Sequence, residues 1–388
     1  MSYEVVDEPK INRSTIFLII LIIVAIFLIW KWFFYEPVTD DSTEPAGSCY
    51  HYSQLNETEQ KIYRELYRGC LDYESQINVT PVNMDTCEKV VYAFRYDHPE
   101  FFWIMDTITT TSSSSGLVIR VEFSVPADAK SKTGLMEKAA DSVLKNIPEK
   151  EYDKVKYLYE YIINTTEYDT DAPDHQTAYS ALVGKYSVCG GYSAAFLYLC
   201  DKAGIYCGYV TGEIVGAEKH AWNFVRLNDK YYWVDTTWGD PSYVNYTKGP
   251  EDIFYDYLCV PDSEIMNGRL FSNDEAYSGH KSYMTFEYPS CTDNSLNYYV
   301  KKGIYFSSYD RMSVYNAIVT QAVDSSNDII ILKFSSADVL QRAVDDMFEV
   351  NSYWIDISDT LESIYGLQYR NKNVTIIGRV NHLVIKVR

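Results

Sequence analysis

Basic residues are scarce in this sequence, and several common binding motifs are absent. The 388 residues include 34 lysines and arginines against 54 aspartates and glutamates, a formal net charge of −20. Nucleic-acid binding needs clustered basic side chains, so this balance argues against a nucleic-acid partner. The sequence has no glycine-rich dinucleotide or phosphate-binding pattern, no fixed-period repeat, and no Cys/His cluster at metal-ligand spacing. We therefore expect no cofactor and no metal ion.

Cysteine is also sparse, since eight residues in this length are far fewer than a disulfide-stapled small domain carries. Setting Cys189 aside for reasons given below, seven remain, so at least one stays unpaired within the chain. A disulfide could join Cys200 and Cys207 across the turn at Gly204, and the connectivity stays open. A hydrophobic fraction of 47% with 23% charged residues excludes wholesale disorder, and the length suits two or three domains.

One long apolar run stands out near the N-terminus. Residues 16–30 read IFLIILIIVAIFLIW, and four aromatic residues follow Lys31. The stretch is long enough for a helix to span about 30 Å of hydrocarbon. No polar face interrupts it, which argues against a buried core helix, and no small-residue cleavage site follows closely, which argues against a cleaved signal peptide. We predict a transmembrane signal anchor over residues 15–35.

Charges beside this run predict its orientation. Lys10 and Arg13 precede it, whereas acidic residues dominate after Lys31. The positive-inside bias then predicts a short cytoplasmic tail, residues 1–14, with the rest of the chain outside the cytoplasm. Residues 36–49 are rich in proline, serine and acidic side chains and are predicted as a linker. The expected localisation is a single-pass cell-membrane protein with an extracytoplasmic catalytic region.

Hydrophobic periodicity beyond the linker predicts an α+β protein. We expect a helical and strand-containing N-terminal region over 50–128, a catalytic domain over 129–296 and a small C-terminal α/β module over 297–388. The first helix follows Asn56, with Glu59 completing a capping box. Further helices are predicted over residues 84–95, 130–146, 149–164, 189–203 and 336–348. Strands are predicted over residues 101–105, 117–125, 207–214, 219–227, 230–237, 329–334, 374–377 and 383–387.

Cys189 begins one of these predicted helices. It is followed by two glycines, and apolar side chains recur at helical spacing until Gly204, a natural C-terminal stop. The first turn of a helix has unpaired amide N–H groups and a positive dipole, and both favour an ionised thiolate. Gly190 and Gly191 lower helix stability, and they suit a place where a substrate backbone must approach closely.

A predicted hairpin carries the other two candidate residues. Its strands flank a polar turn at Asn228 and Asp229, which places Arg226 opposite Tyr231. Because side chains alternate with period two, His220 and Asp235 then lie diagonally on the same face of the sheet. Their backbones would be about 7–8 Å apart, a gap that the two side chains can close.

Together these residues predict nucleophilic catalysis. Cys189 would be the nucleophile, His220 the general base and Asp235 the group that orients the imidazole. A cysteine at a helix start or a histidine on a strand is by itself more often structural, and the joint occurrence favours the site. The backbone N–H of Cys189 is one candidate oxyanion donor. Further candidates for the oxyanion hole or the cleft are Gln176, Tyr179, Gly190, Trp222 and Trp238.

Three motifs resemble those of the transglutaminase-like superfamily: CGGYS from Cys189, HAWN from His220, and VDTTWGDP around Asp235. The resemblance extends over about residues 150–262, is weaker over 50–125, and is closest to extracytoplasmic, membrane-anchored bacterial members. It implies a papain-like α+β fold and acyl-transfer chemistry on amides, with Cys189, His220 and Asp235 as the triad.

Several functions fit these observations. The first is a membrane-anchored cysteine acyltransferase or peptidase that acts on a peptide or protein at the cell surface. Whether water or an amine resolves the thioester separates a hydrolase from a transglutaminase. The second is a catalytically silent surface scaffold that uses the same fold. A third is a bacterial-wall peptidase, although no wall-binding repeat is present in the sequence.

Overall fold

The structure is a computed structural model, and it describes most of the chain from residue 45 onward. The exceptions are residues 46, 106, 217, 241–252, 267, 278, 325–328, 368–372, 378–380 and 387–388. The predicted cytoplasmic tail, the transmembrane anchor and most of the linker lie outside the described residues. Within the described part of the chain, no helix combines the length and the apolar character that crossing a bilayer requires.

Helices and strands are mixed along the chain, which confirms the α+β prediction. The helices are α1 (Glu57–Leu71), α2 (Met84–Asp97), α3 (Ala129–Leu144), α4 (Glu151–Thr165), α5 (Cys189–Lys202), α6 (Asp262–Ile265), α7 (Tyr298–Lys301), α8 (Arg311–Asp324), α9 (Ala337–Val344) and α10 (Trp354–Tyr365). The strands are β1 (Gln76–Val82), β2 (Ile108–Ser112), β3 (Val118–Phe123), β4 (Glu167–Tyr168), β5 (Tyr186–Ser187), β6 (Tyr206–Ile214), β7 (Lys219–Leu227), β8 (Lys230–Val234), β9 (Leu258–Val260), β10 (Arg269–Phe271), β11 (Tyr305–Phe306), β12 (Ile329–Phe334), β13 (Asn373–Ile377) and β14 (His382–Lys386).

The N-terminal region pairs α1 and α2 with an antiparallel sheet of order β1-β3-β2. Asn56 and Glu59 form the predicted capping box at the start of α1. The strand predicted over residues 101–105 is wrong, because Phe102–Met105 is a 3-10 turn. Phe102, Trp103 and Ile104 are all buried, and a half-exposed strand would instead turn every second side chain outward.

A five-stranded antiparallel sheet of order β10-β6-β7-β8-β9 forms the centre of the region predicted as a catalytic domain. The hairpin of β7 and β8 has the predicted register, with Arg226 opposite Tyr231. Asn228 and Asp229 both have positive φ, 50° and 60°, which is typical of the type I′ turn that matches strand twist. β8 ends at Val234, before the predicted end at residue 237, because the chain turns at Asp235.

Helix α5 packs against this sheet and is buried along most of its length. Asn223 on β7 ties the two together, since its side-chain amide donates to the carbonyl oxygens of Ser193 at 3.1 Å and Gly208 at 3.3 Å. In the first turn of α5, the buried Tyr192 hydroxyl donates to Asp240 Oδ2 at 2.8 Å, in the segment after β8. These bonds fix the start of α5 relative to the strands that follow it.

The loop of residues 174–177 holds the chain that leads into α5. The His175 carbonyl oxygen accepts from the Val188 N–H at 3.0 Å and from the Ser187 hydroxyl at 2.7 Å. Gly191 packs beneath this loop: a Cβ there would lie 1.9 Å from Ser187 Oγ and 2.7 Å from the Thr177 carbonyl oxygen. The glycine is therefore required by the chain's own packing, which differs from the expected close approach of a substrate backbone.

The C-terminal module contains a mixed sheet of order β11-β12-β14-β13 with α8, α9 and α10. The helix predicted over 336–348 is α9 followed by a π-helical turn, Asp345–Glu349. A buried polar network joins the module to the segment before β9: Lys333 Nζ lies 2.9 Å from Asp256 Oδ1, and His382 Nε2 lies 2.8 Å from the same oxygen. Burial alone would raise the pKa of Asp256, but the His382 and Lys333 charges lower it below its usual value.

Replacing Gly191 with alanine tests the packing of the loop. We expect Gly191→Ala to destabilise the fold by about 1–3 kcal/mol, because an added methyl group meets backbone oxygens that cannot move alone. Gly134 is the matched control, since it also lies in a helix but has open space around it. Gly134→Ala should stabilise the protein by about 0.5–1 kcal/mol. Urea denaturation checks both, and equal effects of the two substitutions would contradict the assignment.

Candidate active site

Cys189 lies at the first position of α5, where the chain leaves the extended Val188. Its side chain is partly exposed, whereas the helix behind it from Gly190 to Cys200 is buried. A Cβ on Gly190 would lie 2.0 Å from Gln176 Oε1, so the Gln176 side chain rests directly against the backbone beside Cys189. The thiol is therefore open to solvent on one side and bordered by an amide side chain.

His220 on β7 links Cys189 to Asp235. Its Nε2 lies 2.8 Å from Asp235 Oδ2, and the Cys189 side chain is near enough to the ring to help raise the pKa of His220. Because Asp235 holds Nε2, Nδ1 is the ring nitrogen that remains for the thiol. Burial alone would lower the pKa of His220, but the Asp235 charge and hydrogen bond, followed by those of Cys189, raise it to about 9. The imidazole is thus predominantly protonated near neutral pH.

Asp235 follows the last residue of β8 and is completely buried. Its Oδ1 accepts the Trp238 backbone N–H at 3.0 Å, and its own N–H donates to the Tyr257 carbonyl oxygen at 3.0 Å. Burial would raise the pKa of this carboxyl, yet the charges of His220 and Arg269 and these hydrogen bonds hold it well below its usual range. The carboxylate therefore stays ionised.

Arg269 on β10 is the site residue that sequence reasoning missed. Its Nη2 donates to Asp235 Oδ2 at 2.8 Å, and the side chain is almost fully buried. The guanidinium carbon lies 5.0 Å from the Trp222 ring centroid and 4.4 Å from that of Trp238. Arg269 lies 34 residues after Asp235 (269 − 235) on a three-residue strand, so no local pattern marked it.

The remaining sequence candidates lie in different surroundings. Gln176 is exposed and touches the Cys189 region, as described above. Trp238 is half-buried, with its ring 5.6 Å from that of His220, and it borders the site. Tyr179 instead packs on Phe102, at 5.5 Å between ring centroids, and on the Lys132 ammonium group. The contacts of Tyr179 are therefore with the N-terminal region and α3.

The sequence suggested Trp222 as a residue of the cleft, and the structure corrects this: Trp222 does not line an open cleft. Its side chain is 0% exposed, and its ring stacks on His220 at 5.9 Å between centroids. Strand alternation places it on the same face as His220, beneath that ring, where Trp233 and Phe271 also pack against it. Trp222 thus supports His220 from inside the protein, and Trp233 is a core residue.

The other cysteines form neither disulfides nor a ligand cluster. All eight cysteines are free thiols, including Cys200 and Cys207. Within the described residues, no group of three or more His, Cys, Asp or Glu side chains is arranged to hold a metal ion. Burial raises the pKa of Cys87 to about 11 and that of Cys259 further still, which makes these thiols poor nucleophiles.

The part of the chain that contains the candidate active site is similar to known proteins. Residues 138–237 match the sequence model of the Transglutaminase-like superfamily, a range that contains Cys189, His220 and Asp235. The Kyphoscoliosis peptidases of Mus musculus and Homo sapiens are each 30% identical to this chain over 124 residues, or 28% of its length. The match covers only 18% of the length of those two relatives.

Solved structures include more distant neighbours. The crystal structure of a TGase aligns with 37% of this chain and 48% of its own, at 18% identity and a TM-score of 0.27. A protein from Cytophaga hutchinsonii, provisionally assigned as a cysteine protease, aligns with 42% of this chain and 65% of its own, at 17% identity and a TM-score of 0.25. The narrower resemblance to bacterial members stays a prediction. The family resemblance is confirmed over residues 138–237, which match the Transglutaminase-like superfamily.

Proposed function

We propose that this protein is a cysteine acyl-transfer enzyme that acts on peptide or protein amides through a thioester on Cys189. The observation that carries the proposal is the imidazole of His220, which bridges a partly exposed thiol at a helix start and a buried carboxylate. In this proposal Cys189, His220 and Asp235 form a triad in a papain-like arrangement of helix and sheet.

In this proposal the nucleophile is the Cys189 thiolate. With the pKa of His220 raised to about 9, the imidazole carries its proton near neutral pH. The attacking thiolate lies at the positive end of α5, where unpaired N–H groups stabilise negative charge. Asp235 fixes the imidazolium through Nε2 and keeps Nδ1 directed at the sulfur.

Acylation begins when the thiolate attacks the amide carbonyl carbon and the C=O electron pair moves to oxygen. In this proposal the Cys189 backbone N–H donates to this oxyanion, and Gln176, whose side chain lies against Gly190, is the second candidate to contact it. Collapse re-forms the C=O bond and breaks the C–N bond, while the His220 imidazolium gives its proton to the leaving nitrogen. The products are a thioester on Cys189, a neutral His220 and a free amine.

Deacylation runs through the same groups. Neutral His220 takes a proton from the incoming water or amine as that molecule attacks the thioester carbon, and the C–S bond then breaks. The thiolate and imidazolium are thereby restored. Water yields a carboxylic acid, so the enzyme is a peptidase or amidase, whereas an amine yields a new amide, so it is a transglutaminase.

Arg269 completes the charge balance of the site. Thiolate, imidazolium, Asp235 carboxylate and Arg269 guanidinium together carry no net charge. Without the guanidinium, the buried cluster would be neutral only with the thiol protonated. In this proposal Arg269 is a positioning residue that favours the thiolate through Asp235, although it lies behind the carboxylate and away from the sulfur.

The proposed setting is the outer surface of a cell membrane. The apolar run of residues 15–35 supports an anchor, and the acidic residues after it support an extracytoplasmic catalytic region. The partner in this setting is a peptide or protein substrate at the cell surface.

Thiol labelling tests the nucleophile. At pH 6–7 we expect iodoacetamide to modify Cys189 at least about tenfold faster than the other seven thiols, because only an ionised and accessible thiol reacts readily. His220→Ala should remove this advantage. Peptide mapping by mass spectrometry gives the rate at each cysteine. Equal, slow labelling of all eight would instead support a catalytically silent scaffold.

A pH titration tests the link between His220 and Asp235. NMR of histidine-labelled protein should show His220 titrating near pH 9, above the usual 6.5. In Asp235→Asn the midpoint should fall well below 9, because the largest contribution that favours the imidazolium is lost while burial still disfavours it. This proton stabilises the fold fully below about pH 6.5, and its contribution is lost as the pH rises through about 9. A midpoint that Asp235→Asn leaves unchanged would contradict the assignment.

Arg269 has its own test. Arg269→Met should move the midpoint of the Cys189 alkylation profile to higher pH by about one unit, because the thiolate then gives the buried cluster a net negative charge. Arg269→Lys keeps the charge and should retain most of the wild-type profile. Iodoacetamide rates from pH 4 to 10 measure both variants, with circular dichroism confirming their fold. Identical profiles for Met and Lys variants would exclude the charge-balance role.

A further inference from the structure

A cavity of about 180 Å³ opens beside the candidate active site. One wall is the loop of residues 174–177, and the other consists of Phe102, Trp103, Met105 and Pro126. The volume is several times the roughly 30 Å³ that one water occupies in the liquid, so the space can accept a side chain. The 3-10 turn Phe102–Met105 contributes to this wall, because a 3-10 turn aligns side chains three residues apart, here Phe102 and Met105.

The polar groups around this cavity already have partners. The Asp174 carboxylate lies 3.2 Å from Lys132 Nζ, and the Thr177 hydroxyl donates to the Asp174 carbonyl oxygen at 2.8 Å. His175 Nδ1 lies 2.9 Å from the Ala172 carbonyl oxygen. These groups therefore offer no uncompensated charge to a ligand, and Gln176 adds an exposed polar side chain that is uncharged. The facing wall of Phe102, Trp103, Met105 and Pro126 is aromatic and aliphatic. Such a surface favours an uncharged apolar group.

Gln176 connects the cavity to the nucleophile. Its side chain lines the cavity and also rests against Gly190, the residue that follows Cys189. The same loop is held to the chain before Cys189 by the bonds from Val188 and Ser187 to the His175 carbonyl oxygen. If the acyl group of a substrate contacts Gln176, a side chain of that substrate can therefore reach the cavity.

We propose that this cavity is the subsite that receives an apolar side chain of the acyl-donor peptide, either leucine-like or aromatic. The inference rests on the proposed function and adds a substrate class to it. Phe102, Trp103 and Met105 lie outside the region that matches the superfamily, residues 138–237. The N-terminal region thus selects the substrate for a nucleophile that the superfamily region supplies.

Irreversible peptidyl acyloxymethyl ketones test the subsite, since they place an acyl-like ketone at Cys189. Two series of tripeptide probes vary the residue next to the ketone or the one before it among Leu, Phe, Asp and Lys. Only one of the two varied positions enters the cavity. In the series that varies this position, we expect inactivation by the Leu or Phe probe to be at least about tenfold faster than by the Asp or Lys probe. Mass spectrometry confirms that the adduct lies on Cys189.

Met105 provides the matched variants, because its side chain is only half-buried and it is not part of the catalytic machinery. Met105→Glu should reduce the preference for Leu and Phe at least fivefold and leave iodoacetamide labelling of Cys189 unchanged. Met105→Leu should keep the preference. Equal rates for all probes, or a preference that Met105→Glu leaves intact, would overturn the subsite while rapid iodoacetamide labelling preserves the proposed function. Slow iodoacetamide labelling of Cys189 in the wild type would overturn both.

Discussion

A single buried carboxylate organises this site. Asp235 has no exposed surface, and an ion at that depth persists only where several donors replace the water it has lost. Those donors come from three different places: His220 on β7, Arg269 on β10, and the Trp238 backbone in the turn after β8. The carboxylate therefore fixes the position of the imidazole and also determines how the end of β8, the start of β7 and the short β10 come together.

The same constraint extends toward the C-terminal module. The Asp235 N–H donates to Tyr257, and the residue before Tyr257 is Asp256, which Lys333 and His382 hold from the C-terminal sheet. Both carboxylates have a pKa below the usual range because cationic groups surround them. Two ionised carboxylates are thus fixed on either side of the backbone hydrogen bond between Asp235 and Tyr257, one by the site and one by the module. The C-terminal module is in this way attached directly behind the strand that supports the candidate active site.

The parts of this arrangement that sequence predicted are local. Period-two alternation and a turn with two residues of positive φ set the register of β7 and β8, and the pattern after Cys189 set the start of α5. Arg269 could not be found in this way, because its strand has three residues and pairs with β6 across more than fifty positions. The turn Phe102–Met105 was read as a strand because aromatic composition alone does not reveal that successive side chains are buried. The sequence shows two glycines after Cys189, but it does not show which side chains pack against them. Gln176 and Ser187 occupy these positions only because the loop of residues 174–177 folds back over the start of α5.

The site is dry on one side and open on the other, and this asymmetry bears on its chemistry. Trp222 lies beneath His220 and Trp238 beside it, so the imidazole, the carboxylate and the guanidinium interact in surroundings of low polarity, where their attraction is strong. Cys189 and Gln176, by contrast, reach the surface. In the proposed mechanism, the protein therefore shields the groups that would hold and move the proton, and it leaves the thioester on Cys189 to be covered by the bound substrate. An acyl donor seated in the cavity beside Phe102 and Met105 would exclude water from that surface, and the choice between water and an amine would then depend on the bound substrate.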